Sequence, residues 1–458
     1  MLRSRVQPVL LGVVPIAALL SGPQPDARAL TVVTIQAPAK SNTESARPQT
    51  ATDKAIRQFE TRVKEDPRDF ISFTVLGELH IRKGRQSGDL ASYRRAETAL
   101  SRALELNPEH LAAKALLASA YASQHKFSEA IDLAGKLYAQ SNANIDALAV
   151  LADSYLEIGN YKEGEKAVRQ LAAKAAKSPA VMVRLAHVAE LNGRDAEAVD
   201  LLRKAGVAMR QLAEAEQDIA WYETRLANLY YHRGCLDEAA AHFETALKLF
   251  DGYYIGLVGL AEVRAGQGRL KEAETLYARA AASAPQPGTL FDLGALYQEL
   301  GRTAEAQKQY TRAEAMARRP DIHQGAYYRD LALFYADQPG KTKEALEVAI
   351  RDLAIRKDVE GYDTLAWALY RNDRLQEATA ASAKAMKLGT KDPEIYYHAG
   401  MIFARLGNRD KARAYLEEAL RLGRHMLPDD AARTLTKLGG SPKPAASCSL
   451  GTQTAKQP

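Results

Sequence analysis

The sequence predicts an all-helical solenoid of about ten helix–turn–helix repeats, and two regularities carry that prediction. Ten times along the chain, at a nearly regular spacing, Leu or Ala is followed directly by a small residue, Gly or Ala, and three residues later usually by Tyr or another large residue. Most of these doublets lie about 34 residues apart, with three longer steps of about 38 to 41, and about 34 residues is a length at which helix pairs repeat and stack. The doublets are Leu76-Gly77, Leu117-Ala118, Leu151-Ala152, Leu185-Ala186, Leu226-Ala227, Leu260-Ala261, Leu293-Gly294, Leu331-Ala332, Leu365-Ala366 and Ala399-Gly400.

The segment Tyr254–Pro285 indicates what one repeat contains. Its first helix carries Ala261, whose small side chain lets the paired helix approach closely. Gly268 stands at the predicted turn, where a left-handed C-cap costs Gly little. The second helix then carries an apolar stripe at i, i+4 and i+7, which is one face of a helix. That stripe consists of Ala273, Tyr277 and Ala280.

The same two small-residue positions recur through the chain. Gly recurs at the predicted turn as Gly84, Gly159, Gly193, Gly234, Gly268, Gly301 and Gly407. Ala recurs where the second helix crosses the first, as Ala96, Ala130, Ala198, Ala239, Ala273, Ala306, Ala345, Ala378 and Ala412. One repeat has Gly164 at the crossing position instead.

This pattern resembles the tetratricopeptide repeat family, and the resemblance covers nearly all of residues 52–438. It implies a right-handed α-solenoid of about ten such repeats with a capping helix at each end. A polar outer face on the terminal helices is what a solenoid needs where the stack stops. We expect these capping helices at about 52–67 and at 429–438.

Three insertions interrupt the period. About seven residues within 85–92 separate the two helices of the first repeat, and about seven more lie at 206–217. Seven residues are close to two helical turns, so a helix extended there keeps its buried face in register. A looser insertion falls at 318–324. We expect changes of curvature at all three, which makes them candidate contact sites.

The first 29 residues have the pattern of a secretory signal peptide. Arg3 and Arg5 precede an apolar run at 9–20 that is too short to span a bilayer comfortably. Ala27-Arg28-Ala29 then matches a cleavage site. We expect an exported protein, periplasmic or extracellular, with no integral membrane segment after cleavage. The alternative is an uncleaved N-terminal anchor.

Residues 30–51 lack a helical stripe and are predicted to be a disordered linker. Residues 439–458 are rich in Gly, Ser, Pro and Ala and are predicted to be a disordered tail. The two cysteines of the chain are Cys235, in a predicted turn, and Cys448, in that tail. An oxidising compartment permits a disulfide between them, but nothing in the sequence requires one.

Composition and motifs exclude several function classes. The formal net charge of +6 is spread over 458 residues, which does not make the basic patch that nucleic-acid binding needs. No metalloprotease, nucleophile-elbow or dinucleotide-binding motif is present, and the nine histidines lack metal-ligand spacing. We expect no enzyme activity, no cofactor, no metal and no nucleic-acid partner.

In the tetratricopeptide family, fixed positions of each first helix line the concave surface. Carried onto this chain, they give a candidate binding groove for a partner peptide or domain. Exposed aromatic residues in a concavity favour such recognition. The alternative is that some of these rings pack between repeats. The candidate groove residues are Trp221, Thr224, Asn228, Tyr231, Phe291, Gln298, Glu360, Asp363, Trp367, Tyr370 and Tyr397.

Some family members bind a C-terminal carboxylate with Lys and Asn at two of these positions. Here only Asn228 matches, so that kind of clamp is not predicted. The sequence favours a non-enzymatic protein-interaction scaffold, an assignment by analogy with the fold. One alternative is an accessory protein of envelope polysaccharide secretion or assembly. The other is an enzyme with an unrecognised site between repeats.

Overall fold

A computed structural model describes residues 50–212, 215–319, 325–441 and 448, and within these ranges every regular element is helical. A first helix, α1 (Ala51–Glu65), is followed by ten helix pairs. The pairs are α2 (Phe70–Ser87) with α3 (Leu90–Leu106), α4 (Leu111–Ser123) with α5 (Phe127–Gln140), α6 (Ile145–Glu157) with α7 (Tyr161–Ala175), α8 (Pro179–Leu191) with α9 (Asp195–Gln211), α10 (Glu216–Tyr231) with α11 (Leu236–Leu249), α12 (Tyr254–Gly266) with α13 (Leu270–Ser283), α14 (Pro287–Glu299) with α15 (Thr303–Ala317), α16 (Tyr328–Ala336) with α17 (Thr342–Ile355), α18 (Val359–Arg371) with α19 (Leu375–Ala385), and α20 (Pro393–Arg405) with α21 (Arg409–Gly423). A short 3-10 helix (Arg424–Met426) and α22 (Asp429–Lys437) follow.

The predicted solenoid of ten repeats is confirmed, and so is the register of its small residues. Ala261 is fully buried, as are the crossing residues Ala273 and Ala306. At the two doublets with Gly77 and Gly294, a Cβ atom would collide with Leu100 and Tyr310 of the paired helix. The helices of a pair therefore approach too closely for a larger residue at these positions.

The turns between paired helices need a left-handed backbone. Gly159, Gly193, Gly234 and Gly268 all have φ between 66° and 76° there. Where the chain lacks Gly at this place, His125 and Asp373 adopt the same conformation with φ of 60°. A left-handed backbone is strained for residues other than Gly, so these two turns depend on surrounding contacts.

The assignment of Gly84 to a turn is wrong. Gly84 lies inside α2, because the insertion in the first repeat continues that helix to Ser87 and moves the left-handed residue to Gly88, with φ of 65°. A Cβ atom on Gly84 would collide with the ring of Tyr93 on α3. The second insertion likewise lengthens α9, which keeps one buried face as far as Met209.

Successive superhelical turns of the solenoid contact each other. The Gln286 side-chain amide donates to the Gly88 carbonyl at 3.0 Å, and the Val359 N–H donates to the Tyr161 hydroxyl at 2.7 Å. Each of these contacts joins residues 198 positions apart, just under six repeats. The inter-helix turns of the early repeats therefore lie against the loops that begin later repeats, one superhelical turn further along the chain.

We call this line of contacts the inter-turn seam. Its further members are the hydrogen bond from the Lys357 N–H to the Ile158 carbonyl (3.3 Å) and that from the Thr390 hydroxyl to the Leu191 carbonyl (2.5 Å). Backbone also approaches backbone there, because a Cβ atom on Gly193 would collide with the Gly389 carbonyl oxygen.

The predicted signal peptide (1–29) and nearly all of the predicted linker (30–51) and tail (439–458) lie outside the described residues. Within the described ranges, no helix is long and apolar enough to cross a membrane.

Candidate functional site: the inner surface of the solenoid

Most of the predicted groove residues are buried. Tyr231 keeps 3% of its surface exposed, and Trp367 keeps 2%. Trp221 is half-buried, Glu360 is partly exposed and Gln298 is exposed. The expectation of an open groove lined by exposed rings is therefore wrong for the remaining members. These buried members are Thr224, Asn228, Tyr231, Phe291, Asp363, Trp367, Tyr370 and Tyr397.

Tyr231 is buried against the other end of the solenoid. Its ring makes an edge-on contact with His425, which follows the last repeat, at a centroid distance of 4.7 Å. Burial lowers the pKa of His425 to about 4, and the nearby His232 acts in the same direction, although a hydrogen bond to the Tyr231 backbone partly offsets this. The neutral imidazole is therefore the form that fits this contact.

The remaining groove residues of the fifth repeat differ in their polar contacts. The Thr224 hydroxyl donates to the Trp221 carbonyl at 2.6 Å. Neither side-chain amide atom of Asn228 has a hydrogen bond in the described chain, although this residue keeps only 4% of its surface exposed. Asn228 is thus a buried polar group on the inner side of the solenoid.

The groove residues of the ninth and tenth repeats form one aromatic cluster. Trp367 stacks on Tyr370 (4.8 Å) and on His398 (4.2 Å), and Tyr397 lies 5.5 Å from it. His398 Nδ1 is 2.8 Å from the Asp363 carboxylate. Trp367 and Tyr397 each keep 2% of their surface exposed and Tyr370 keeps 9%, so this cluster packs repeats together and presents no ring to a ligand.

Phe291 has a similar structural role. It stacks on Phe334 of the following repeat at 4.3 Å. Gln298, at the end of α14, is the one exposed member of the predicted set.

The inner side of the solenoid also carries buried ion pairs that the sequence analysis missed. Arg184 donates to both oxygens of Asp153 at 2.8 and 2.7 Å, with side chains 2% and 3% exposed. Arg329 bonds Asp352 and Asp358 and reaches Glu360. Buried charges need such partners, because isolated ones are costly to remove from water. A hint in the sequence was the charge of Asp153, Arg184 and Arg329 within first helices that are otherwise largely apolar.

Two carboxyl groups near the seam resist ionisation. Desolvation by the surrounding groups raises the pKa of Glu360 to about 8, with Arg329 opposing the shift, although part of the side chain still reaches solvent. Burial also raises the pKa of Glu157, which approaches the same cluster from one superhelical turn away. The inner surface is thus acidic here and partly neutralised by protons and arginines.

Cys235 and Cys448 form a disulfide, which the sequence permitted but did not require. Their Cα atoms are 5.2 Å apart, and they stand 213 positions apart in the chain. Glu238 lies near both sulfurs. With both sulfurs in the disulfide, neither is a thiolate that could bind a metal ion.

The fold and the inner surface define a class of protein, an α-solenoid of helix–turn–helix repeats. Models of the tetratricopeptide repeat match residues 88–145, 121–182, 224–287, 288–319 and 393–425. The comparisons thus support tetratricopeptide repeats in these segments, in agreement with the helix pairs described above.

One curated relative is the tetratricopeptide repeat protein 21B of Xenopus laevis, which is 25% identical over 233 residues. The match covers 50% of this chain but only 17% of that protein.

Solved structures with similar repeats have low identity to this chain. The human IFIT1 dimer with PPP-AAAA is 17% identical with a TM-score of 0.45, and the match covers 82% of this chain and 96% of that one. Yeast Tom70 is 14% identical with a TM-score of 0.37, over 85% and 91% of the chains. PilW, a type IV pilus biogenesis factor, is 16% identical with a TM-score of 0.39, over 45% and 93%.

Proposed function

We propose that the protein is a non-enzymatic scaffold that binds a protein or peptide partner through the inner surface of its solenoid. The observation that carries the proposal is the run of ten stacked repeats with tetratricopeptide matches, because that fold implies protein partners. The partner would engage the inner residues that remain accessible. Within the predicted set of groove residues, these are Trp221, Gln298 and Glu360, whose side chain is 39% exposed.

We propose further that this scaffold acts in the cell envelope after export. The signal-like pattern of residues 1–29 supports this location. The disulfide between Cys235 and Cys448 supports it independently, because disulfides persist in oxidising compartments such as the periplasm or the extracellular space.

Capture of partners from envelope extracts tests the proposal. The full chain would be compared with a Trp221→Ala, Gln298→Ala double variant and with Ile350→Ala as the matched control. Ile350 is 53% exposed and lies on α17, the second helix of its repeat. We expect the double variant to retain less than a tenth of the captured protein and the control to retain all of it.

Equal capture by all three chains would refute binding at the inner surface. Glycan without a protein partner would favour the accessory of polysaccharide secretion. Turnover of a substrate by the isolated chain would favour an enzyme.

A further inference from the structure

The disulfide lies at the inter-turn seam. Cys235 directly follows Gly234, the left-handed residue in the turn of the fifth repeat, and it keeps 3% of its surface exposed. A Cβ atom on Gly234 would lie 3.7 Å from the Leu422 carbonyl oxygen, at the end of the tenth repeat. The two cysteines are 213 positions apart in the chain, close to the 198 positions that separate hydrogen-bonded partners elsewhere along the seam.

The same place joins the first superhelical turn to the last helices of the chain. His425 contacts the Tyr231 ring, and a Cβ atom on Gly266 would lie 3.3 Å from the His425 ring. Cys448 lies beyond α22 and packs against the apolar residues around α10 and α11. The disulfide therefore ties the C-terminal end of the chain to the middle of the solenoid.

Apolar contacts cross the seam at two places, since Met426 is buried in the cluster that holds Tyr231 and Tyr161 packs in the cluster that holds Val359. The remaining seam contacts are polar. They include the hydrogen bonds at Gly88, Ile158, Tyr161 and Leu191, and a long ion pair between Lys391 and Asp195 at 3.9 Å. When the superhelical turns separate, water can replace these partners, so each such bond opposes separation only weakly. The helix pairs are not disturbed by separation, because repeats couple mainly to their nearest neighbours.

We propose that the Cys235–Cys448 disulfide is a redox-controlled tie that keeps the superhelical turns in contact, and that its reduction opens the seam and exposes the inner surface around Trp221 and Tyr231. In the oxidised protein the tie holds the two sides of the seam at high effective concentration. In the reduced protein the C-terminal repeats are free to move away as a unit. This inference does not depend on the identity of a partner.

The chemical step is a thiol–disulfide exchange with a dithiol. A thiolate of the dithiol attacks the more accessible sulfur, that of Cys448, and releases the Cys235 thiolate, which takes up a proton. The second thiol of the reductant then resolves the mixed disulfide. Two electrons pass to the protein, which ends with two thiols, and the dithiol becomes an intramolecular disulfide.

The test compares the oxidised and the dithiothreitol-reduced full chain, with the thiol count checked by alkylation and intact mass. A Trp367→Phe variant makes Trp221 the single tryptophan. We expect reduction to raise the iodide-quenching constant of Trp221 at least twofold and to increase the radius of gyration measured by X-ray scattering. Far-ultraviolet circular dichroism should not change, because the repeats remain folded.

A Cys448→Ser variant is the control, since Cys448 lies beyond α22 and Ser is nearly the same size as Cys, so the packing against α10 and α11 changes little. It should give the reduced values with or without dithiothreitol. Complete reduction with unchanged quenching and scattering would overturn the proposal. Loss of helicity on reduction would also overturn it, because the disulfide would then hold the fold and not the seam. Two free thiols in protein purified under oxidising conditions would show that the disulfide does not form, and the proposal would then fail.

Discussion

At the residue scale, position in a repeat does not decide whether a side chain is free to bind. Trp221 and Tyr231 occupy two equivalent inward positions of the same helix, α10. Trp221 stays half-buried, whereas Tyr231 is covered by His425 from a distant repeat. The difference in burial arises because the inter-turn seam passes over Tyr231.

We therefore expect the two aromatic residues to differ in their contribution to stability. Tyr231→Ala leaves a cavity at a packed contact and should lower the free energy of unfolding by about 3 kcal/mol or more. Trp221→Ala should cost about 1–2 kcal/mol, since part of the ring is already in water. Urea unfolding followed by circular dichroism measures both. Equal losses would show that the seam does not bury Tyr231.

The contact at His425 also predicts a pH dependence. In the folded chain the pKa is about 4, below the ordinary value of 6.5, so the unfolded chain binds more protons between these values. Stability is thus lost as the pH falls from about 6.5 toward 4. Because the side chain is only partly buried, we expect this group to contribute about 1–2 kcal/mol between pH 7.5 and pH 5.

A His425→Phe variant keeps a ring against Tyr231 and cannot titrate. Its unfolding free energy should fall less than that of the parent chain between pH 7.5 and pH 5. If the two chains lose the same stability over this interval, the titrating group lies elsewhere.

At the element scale, the period and the small residues of the sequence were enough to predict the helix pairs and their crossings. Ala261, for example, is buried where the pattern placed it. The pattern failed at Gly84, because an insertion near two helical turns lengthens a helix without changing its buried face. Periodicity cannot distinguish a longer helix from a longer turn when both preserve the register.

The turn glycines allow the seam to be tested against a matched control. Gly193 and Gly268 have similar left-handed backbones, with φ of 66° and 75°. A Cβ atom on Gly193 would collide with the Gly389 carbonyl, whereas one on Gly268 meets nothing within 4 Å. Both alanine variants carry the backbone strain of about 1 kcal/mol, and Gly193→Ala should lose at least about 1 kcal/mol more.

Thermal unfolding of the two variants gives this difference. Gly193→Ala should melt several degrees below Gly268→Ala. Equal melting temperatures would mean that the Gly193 turn does not touch the loop at Gly389.

At the scale of the whole molecule, the sequence could not predict that successive superhelical turns of the solenoid contact each other. The offset between stacked turns is the sum of small rotations between successive repeats, and no single repeat encodes it. This is why the sequence predicts an exposed Tyr231, which His425 covers from a distant repeat. Trp367 and Tyr397 are covered instead by packing within and between the ninth and tenth repeats. Local pattern identifies which side of a helix faces inward, and only the assembled superhelix decides what covers it.

Closure also changes how a partner could be bound. An open solenoid offers its inner surface along its whole length, whereas a closed one leaves accessible positions such as Trp221 and Gln298. Binding to the deeper residues then requires separation of the superhelical turns, at a cost in free energy that lowers the apparent affinity. Contact between the turns is therefore the central claim.

Hydrogen exchange of the Val359 amide in the oxidised protein tests that claim most directly. Val359 is the first residue of α18, so its N–H has no acceptor within its own helix, and its partner is the Tyr161 hydroxyl across the seam. The Leu270 amide, first in α13, is the matched control, because a Cβ atom on Gly268, in the turn beside it, would meet nothing within 4 Å. Residue-resolved mass spectrometry should find that Val359 exchanges at least about tenfold more slowly than Leu270. Equal exchange rates for the two amides would contradict contact between the superhelical turns.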